Sequence, residues 1–364
     1  MLSRYHNIAG RDWIAIPLIP YLYAVDRPEN IPLYVDSKMV RLLRHQYIEK
    51  LANSIGEPGE DSYQLAGSAY DRTLYGFRVA TRPDQDARLI EMLNSSSNQP
   101  SYRLLSRNCA DFVKAIINFY YPNAVHRSVI ADLGVMTPKQ AAKSLVHASR
   151  HHPEMQLTTF IIPQVPGLKR SKPVHGIIES LVLAKKYVTP VLLFHPFLVG
   201  GVEAAYWAGW RFDPARGALI FDPANGLEPP LTSSERRHYQ KSLAAAKRET
   251  LAGERLPSWR KLEARAQPVV DPAGAPFLEM EQDGQKLRVG VCRDNALRVP
   301  APPELVEDLM VSRLEQELKP GKPAKASRRQ VAGDWRLLEQ AAKSRQASVL
   351  SVNGLAQDPD KDQP

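Results

Sequence analysis

Prolines constrain the fold of this chain more than any other feature. Thirty of them, against twenty glycines, are spread through 364 residues and leave few stretches in which one regular element could run long. Proline has no amide hydrogen and a fixed φ, so it stops a helix, opens one at the first position, or confines a strand to a sheet edge. Short helices and strands interspersed along the chain are therefore expected, an α+β pattern without internal repeats. A hydrophobic content of 43% is enough to pack one large domain or two.

Hydrophobic periodicity divides the chain further. Residues 13–25, "WIAIPLIPYLYAV", are rich in β-branched and aromatic types. Their two prolines argue against a regular helix, so the segment reads as strand and extended edge. From Ser37 a helical pattern runs through Met39, Val40, Leu43, Tyr47 and Ile48, capped by Asp36 or Ser37. "LYGFRVAT" reads as a strand, and a helix starts near Pro83. "YRLLS" reads as a short strand leading into Asn108 and Cys109, with a helix beyond it to about Tyr120. Thr137 and Pro138 open the next helix, which ends in "VHASRHHPE" before the β-rich "LTTFIIP".

Past "PQVPGLKRSKP" the character changes. An apolar helix is expected near 176–187, then a hairpin in "WRFDPARGALIFDP" turning at Pro214–Gly217 and a charged helix over 233–255. A second hairpin, "FLEMEQDGQKLRVGVC", has Asp283-Gly284 at its turn. Helices over 303–318 and 334–347 flank a Lys/Pro linker, and "AQDPDKDQP" is too polar to order. The expected division is residues 1–165, a helical and hairpin-containing extension over 166–320, and a basic linker, helix and tail over 321–364.

The formal charge of +9 suits an anionic partner, and the basic C-terminal region is the natural place for an anionic surface to bind. The basic clusters "RKLEARA" and "KPGKPAKASRRQ" lack interleaved aromatics, so no specific nucleic-acid site is expected. The N-terminus has no signal-peptide pattern, which assigns the chain as it stands to the cytoplasm; a true N-terminus further upstream would make it periplasmic or membrane-associated. His195, Pro196, paired glycines and Glu203 interrupt the apolar run from Val191 to Trp210, so it reads as a buried helix or hairpin.

Chemistry centres on "SRNCADF". Asn108 is a favoured N-cap, Asp111 stands where a capping box places its acid, and Cys109 falls in the first turn. Unpaired amides and the positive dipole end there favour a thiolate, and Arg107 adds positive charge. Cys109, Phe112, Val113 and Ile116 share a helical spacing, which places Cys109 near the end of an apolar, buried face. Spacing alone leaves two readings, inert packing and activated nucleophile.

"YRLLSRNCADFVKAII" resembles the Asn-Cys segment of the circularly permuted NlpC-type papain fold, the branch with lecithin retinol acyltransferase-like enzymes and the N-terminal domain of bacterial periplasmic Lnb-like proteins. The match covers Tyr102 to Ile117. It implies a papain-like core over about the first 165 residues, with an antiparallel sheet packed on a central helix. It also implies a cysteine hydrolase or acyltransferase acting through Cys109, with oxyanion support from the helix start at Asn108, Ala110 and Asp111. The substrate would be a peptide, cell-wall or lipid acyl group. In that pattern the base histidine precedes the cysteine beside a glycine. Only His6 and His45 precede it here, neither in that context; His6 is the candidate base and His45 reads as a surface residue. An inactive relative, retained as a non-catalytic envelope or membrane-surface binding protein, is the alternative.

No dinucleotide, Walker, GxSxG or HExxH fingerprint occurs, so no cofactor is expected. His147 and His151 stand at i and i+4, a spacing that suits a metal, but their place at a helix C-terminus reads more simply as capping; no metal site is expected. His175 and His195 read as core histidines, and Cys292 as packing on a strand.

Overall fold

Segments bounded by prolines become short elements. The computed structural model describes residues 2–3, 14–55, 66–95, 103, 105–132, 134–169, 194–205, 212–250, 264–282, 284–296, 302–319 and 326–355. Expectations for 176–187, for Asp283 and for the last nine residues lie outside these ranges, as do His6 and His175.

Strand β1 (Leu2–Ser3) pairs with β2 (Ile14–Ala15), and helix α1 (Leu18–Tyr23) follows. The expected extended edge is thus helical over six residues. Pro17 occupies the cap and Pro20 the first turn, where a helix has no carbonyl for an amide to reach, so proline costs little there. Helix α2 (Ser37–Ile55) begins as expected, with the Met39 amide donating to Asp36 Oδ1 at 2.7 Å. A single helical turn α3 (Ser68–Asp71) leads to β3 (Leu74–Arg78), α4 (Pro83–Ser95), α5 (Cys109–Tyr120), α6 (Val129–Asp132), α7 (Pro138–Ala148) and β4 (Thr158–Ile162).

Beyond these come α8 (Pro196–Ala205), β5 (Leu219–Asp222), β6 (Gly226–Glu228) and α9 (Ser233–Thr250), then β7 (Gln267–Val270), β8 (Pro276–Gln282) and β9 (Gln285–Gly290), and finally α10 (Pro303–Glu317) and α11 (Arg328–Leu355). The molecule is an α+β protein with a helical C-terminal region. The β8–β9 hairpin forms as predicted; Pro214–Gly217 is a turn as expected, residues 206–211 ahead of it lie outside the described residues, and β5 pairs with β6 through a further turn over Pro223–Asn225. This second turn is local: Asp222 Oδ1 accepts from the amides of Ala224 and Asn225, an Asx turn that reverses the chain.

The larger sheet runs β3-β4-β5-β6 and is mixed, which corrects the expected antiparallel sheet. β3–β4 and β5–β6 are antiparallel, but β4 and β5 are parallel, with Phe160 opposite Leu219 and Ile161 opposite Ile220. The long connection between β4 and β5 permits this, since parallel neighbours need a crossover and not a hairpin. Across β3–β4, Gly76 faces Phe160, whose ring would lie 2.1 Å from any Cβ at position 76.

Two cores carry the fold. The main core gathers residues from Ile16 to Ala341, so α1, α2, the β7–β9 sheet, α10 and α11 share one interior across position 165. Its charged centre is buried: Arg313 Nε donates to Asp334 Oδ2 at 2.6 Å and Nη1 to the Leu33 carbonyl at 2.8 Å, while Arg293 Nη2 donates to Asp334 Oδ1 at 2.6 Å. Asp334 is fully buried. A smaller core of Ala110, Val125, Met136, Ala141, Leu145 and Met155, joined by Phe77 and Leu157, seats α5 on α7 beside the β3–β4 end of the sheet.

Candidate functional site

The Cys109 helix start is built as its sequence suggests. Asn108 is extended and buried, and its Oδ1 accepts from the amides of Ala110 at 2.8 Å and Asp111 at 3.0 Å. Asp111 Oδ2 accepts in return from the Asn108 amide at 3.3 Å, completing a capping box. Asn108 Nδ2 donates to the Met136 carbonyl at 2.9 Å, which ties the cap to the chain just ahead of α7. Arg127 Nη2 donates to Asp111 Oδ1 at 2.6 Å and to the Ser106 carbonyl at 3.3 Å. Nothing in the local sequence marks Arg127 as part of this site; it arrives through the turn between α5 and α6.

The rotation of α5 corrects the predicted face. Cys109 is exposed, and Val113, one turn on, is 44% exposed. The buried side is Ala110, with Ile117 and Tyr121 packed beneath it. Burial of the Asn108 side chain and its bond to Met136 fix this rotation, turning Ala110 inward and its neighbour Cys109 outward. Cys109 therefore does not pack in the smaller core.

The approach to the site also differs from expectation. Of "YRLLS", Tyr102 and Leu104 lie outside the described residues; among the others Arg103 pairs antiparallel with Arg107 across a tight turn that includes exposed Leu105. Consecutive backbone bonds from Ser106 and Arg107 to the Arg103 carbonyl close this turn, which a strand could not make. Leu105, Val113 and Val129 are exposed, Val113 one turn along α5 from Cys109, and Arg107 stands two residues ahead of the thiol in sequence.

Oxyanion support rests on fewer groups than the first turn offers. The amides of Ala110 and Asp111 are engaged by Asn108 Oδ1, and that of Phe112 by the Asn108 carbonyl at 3.1 Å. The amide of Cys109 itself is the first-turn donor left without a partner among the described residues. A carbonyl oxygen held near the sulfur would meet that one N–H and the positive helix end.

No described histidine nitrogen is hydrogen-bonded to the Cys109 sulfur. His45 lies on the surface of α2, with its Nδ1 3.2 Å from Glu49, and His152 pairs with Glu154 at 2.8 Å. His147 and His151 stack edge to face at 5.4 Å at the end of α7, and no metal-binding group of three or more side chains exists among the described residues. His195 is exposed just ahead of α8, so the core role expected of it does not hold; it stands between two exposed phenylalanines, Phe194 and Phe197. Cys292 is the opposite of Cys109: it is 1% exposed, and burial, aided by Asp294 and Asp271, pushes its thiol pKa far up.

Fold and site together define an α+β protein with an exposed thiol at a fully capped helix start. No protein-family model, curated protein or solved structure matches the chain. No described helix is long and apolar enough to cross a membrane.

Proposed function

We propose that this protein is a papain-like thiol hydrolase or acyltransferase with Cys109 as its nucleophile. The observation that carries the reading is an exposed cysteine in the first turn of a helix whose cap is complete. In the proposed reaction the Cys109 thiolate adds to an ester or amide carbonyl, and the alcohol or amine leaves with a proton. Water or another acceptor then takes the acyl group from sulfur. The Cys109 amide stabilises the oxyanion, and His6 serves as the base that takes and returns the proton. Exposed Val113, one turn along α5 from Cys109, favours a substrate with an apolar acyl part, in keeping with a lipid or cell-wall acyl group.

The test is turnover of a panel of esters, lipid esters and peptide amides. Release of product by the intact chain, abolished in Cys109→Ala and lowered at least about a hundredfold in His6→Ala, supports the proposal. Turnover that survives Cys109→Ala sinks it.

A second reading is a non-catalytic envelope or membrane-surface protein. It is favoured by Phe194 and Phe197, which are 79% and 95% exposed at the start of α8, on a chain of net charge +9. Co-sedimentation with anionic vesicles that weakens with salt, together with no turnover, would select it.

A further inference from the structure

A cavity of about 250 Å³ lies where the N-terminal segment, the exit of β4, the β5–β6 turn and helices α10 and α11 meet. Five prolines and the rings of Tyr23 and Phe221 wall it, so its shape is set by groups with little freedom to rearrange. At one end stands Asp222, only 7% exposed. One of its oxygens is used inside the β5–β6 turn; the other has no hydrogen-bond partner among the described residues. The hydroxyl of Tyr23, which is 3% exposed, likewise has none. Gln164, also on the wall, holds a buried Oε1 without a partner.

A buried carboxylate needs a compensating positive charge, and the guanidinium groups lining the cavity are committed elsewhere. Arg313 and Arg293 both donate to Asp334, Arg313 also meets Glu317 and the Leu33 carbonyl, and Arg329 pairs with Glu228. Asp294 and Glu29 line the same space and add negative charge. The cavity thus offers acceptors in need of donors, an unpaired acid, and rigid apolar walls.

We propose that this cavity binds a small organic cation of the alkylamine or guanidinium class. Its charged head takes the open oxygen of Asp222 beside the Tyr23 hydroxyl, and its hydrocarbon stem lies along the proline and aromatic walls. The site is separate from Cys109 and does not depend on the catalytic reading.

Isothermal titration of the full chain with 1,5-diaminopentane and with agmatine tests it, with hexanoate and pentanol as controls. The expected result is saturable binding of at least one amine and none of the controls. Affinity should fall tenfold or more in Asp222→Asn, which keeps the turn-forming oxygen, and by roughly fivefold in Tyr23→Phe. Cys109→Ala should titrate like the natural chain. Should Asp222→Asn not fold, Tyr23→Phe decides alone, since it removes only a hydroxyl that no described residue engages. Absence of binding by both amines, equal binding of hexanoate, or affinities unchanged in the variant that folds would overturn the assignment.

Discussion

The two cysteines mark two regions that solve opposite problems. Cys292 sits in the main core, where burial holds it as a neutral thiol and Asn295 Oδ1 accepts from its amide at 2.8 Å. Cys109 stands on the rim of the smaller core, facing out, on a helix start held by Asn108, Asp111 and Arg127. The first environment suppresses thiol chemistry through desolvation, and the second exposes the sulfur at the positive end of a dipole. Polar groups organise both regions, yet only one presents an exposed thiol.

Alkylation of the folded chain with iodoacetamide, followed by peptide mass spectrometry, exploits the largest difference. Cys109 should label at least on the order of a thousandfold faster than Cys292, because labelling of Cys292 requires the main core to open. Comparable rates would erase the contrast between the regions.

Asp334→Asn should come next in size. It strands Arg313 and Arg293 without their shared carboxylate in a buried setting, a loss of about 3–5 kcal/mol in denaturant unfolding. Cys292 labelling should accelerate accordingly while that of Cys109 changes little. Asn108→Ala acts on the other side of the comparison. It frees two amides and the Met136 carbonyl, at a cost of about 1–2 kcal/mol, and lowers Cys109 turnover more than Cys292 protection.

A smaller, pH-dependent effect belongs to the main core alone. Burial raises the Glu317 carboxyl pKa to about 8, with Arg313 opposing and Asp334 adding to the rise. A raised folded-state value means that its stabilisation is full below the ordinary glutamate pKa of ~4.3 and is lost as pH climbs through about 8. The natural chain should therefore lose more stability between about pH 6 and pH 9 than Glu317→Gln, as read from unfolding midpoints. Equal losses would remove Glu317 from the account.

Local chemistry made much of this legible in sequence. The Asp36 and Thr137 caps, the Asn108 box and the β8–β9 hairpin are set by neighbours within four residues, and all formed where the pattern placed them. Three features were not legible because distant groups decide them. The rotation of α5 depends on Met136, the parallel pairing of β4 with β5 on a connection of more than fifty residues, and the helix at Leu18–Tyr23 on the core that receives Leu22 and Tyr23. The Asp222 cavity is of the same kind. Asp222 is a turn residue in a local motif, while the cavity that it lines is completed by α10 and α11 residues about a hundred positions away.

The central claim is that Cys109 forms a covalent acyl intermediate. Incubating the chain with an activated acyl ester, quenching in acid and mapping the adduct tests it directly. The account predicts one hydroxylamine-labile acyl group on Cys109, absent from Cys109→Ala and lost when the chain is unfolded beforehand. An unmodified Cys109 under these conditions, or equal acylation of the unfolded chain, would contradict it.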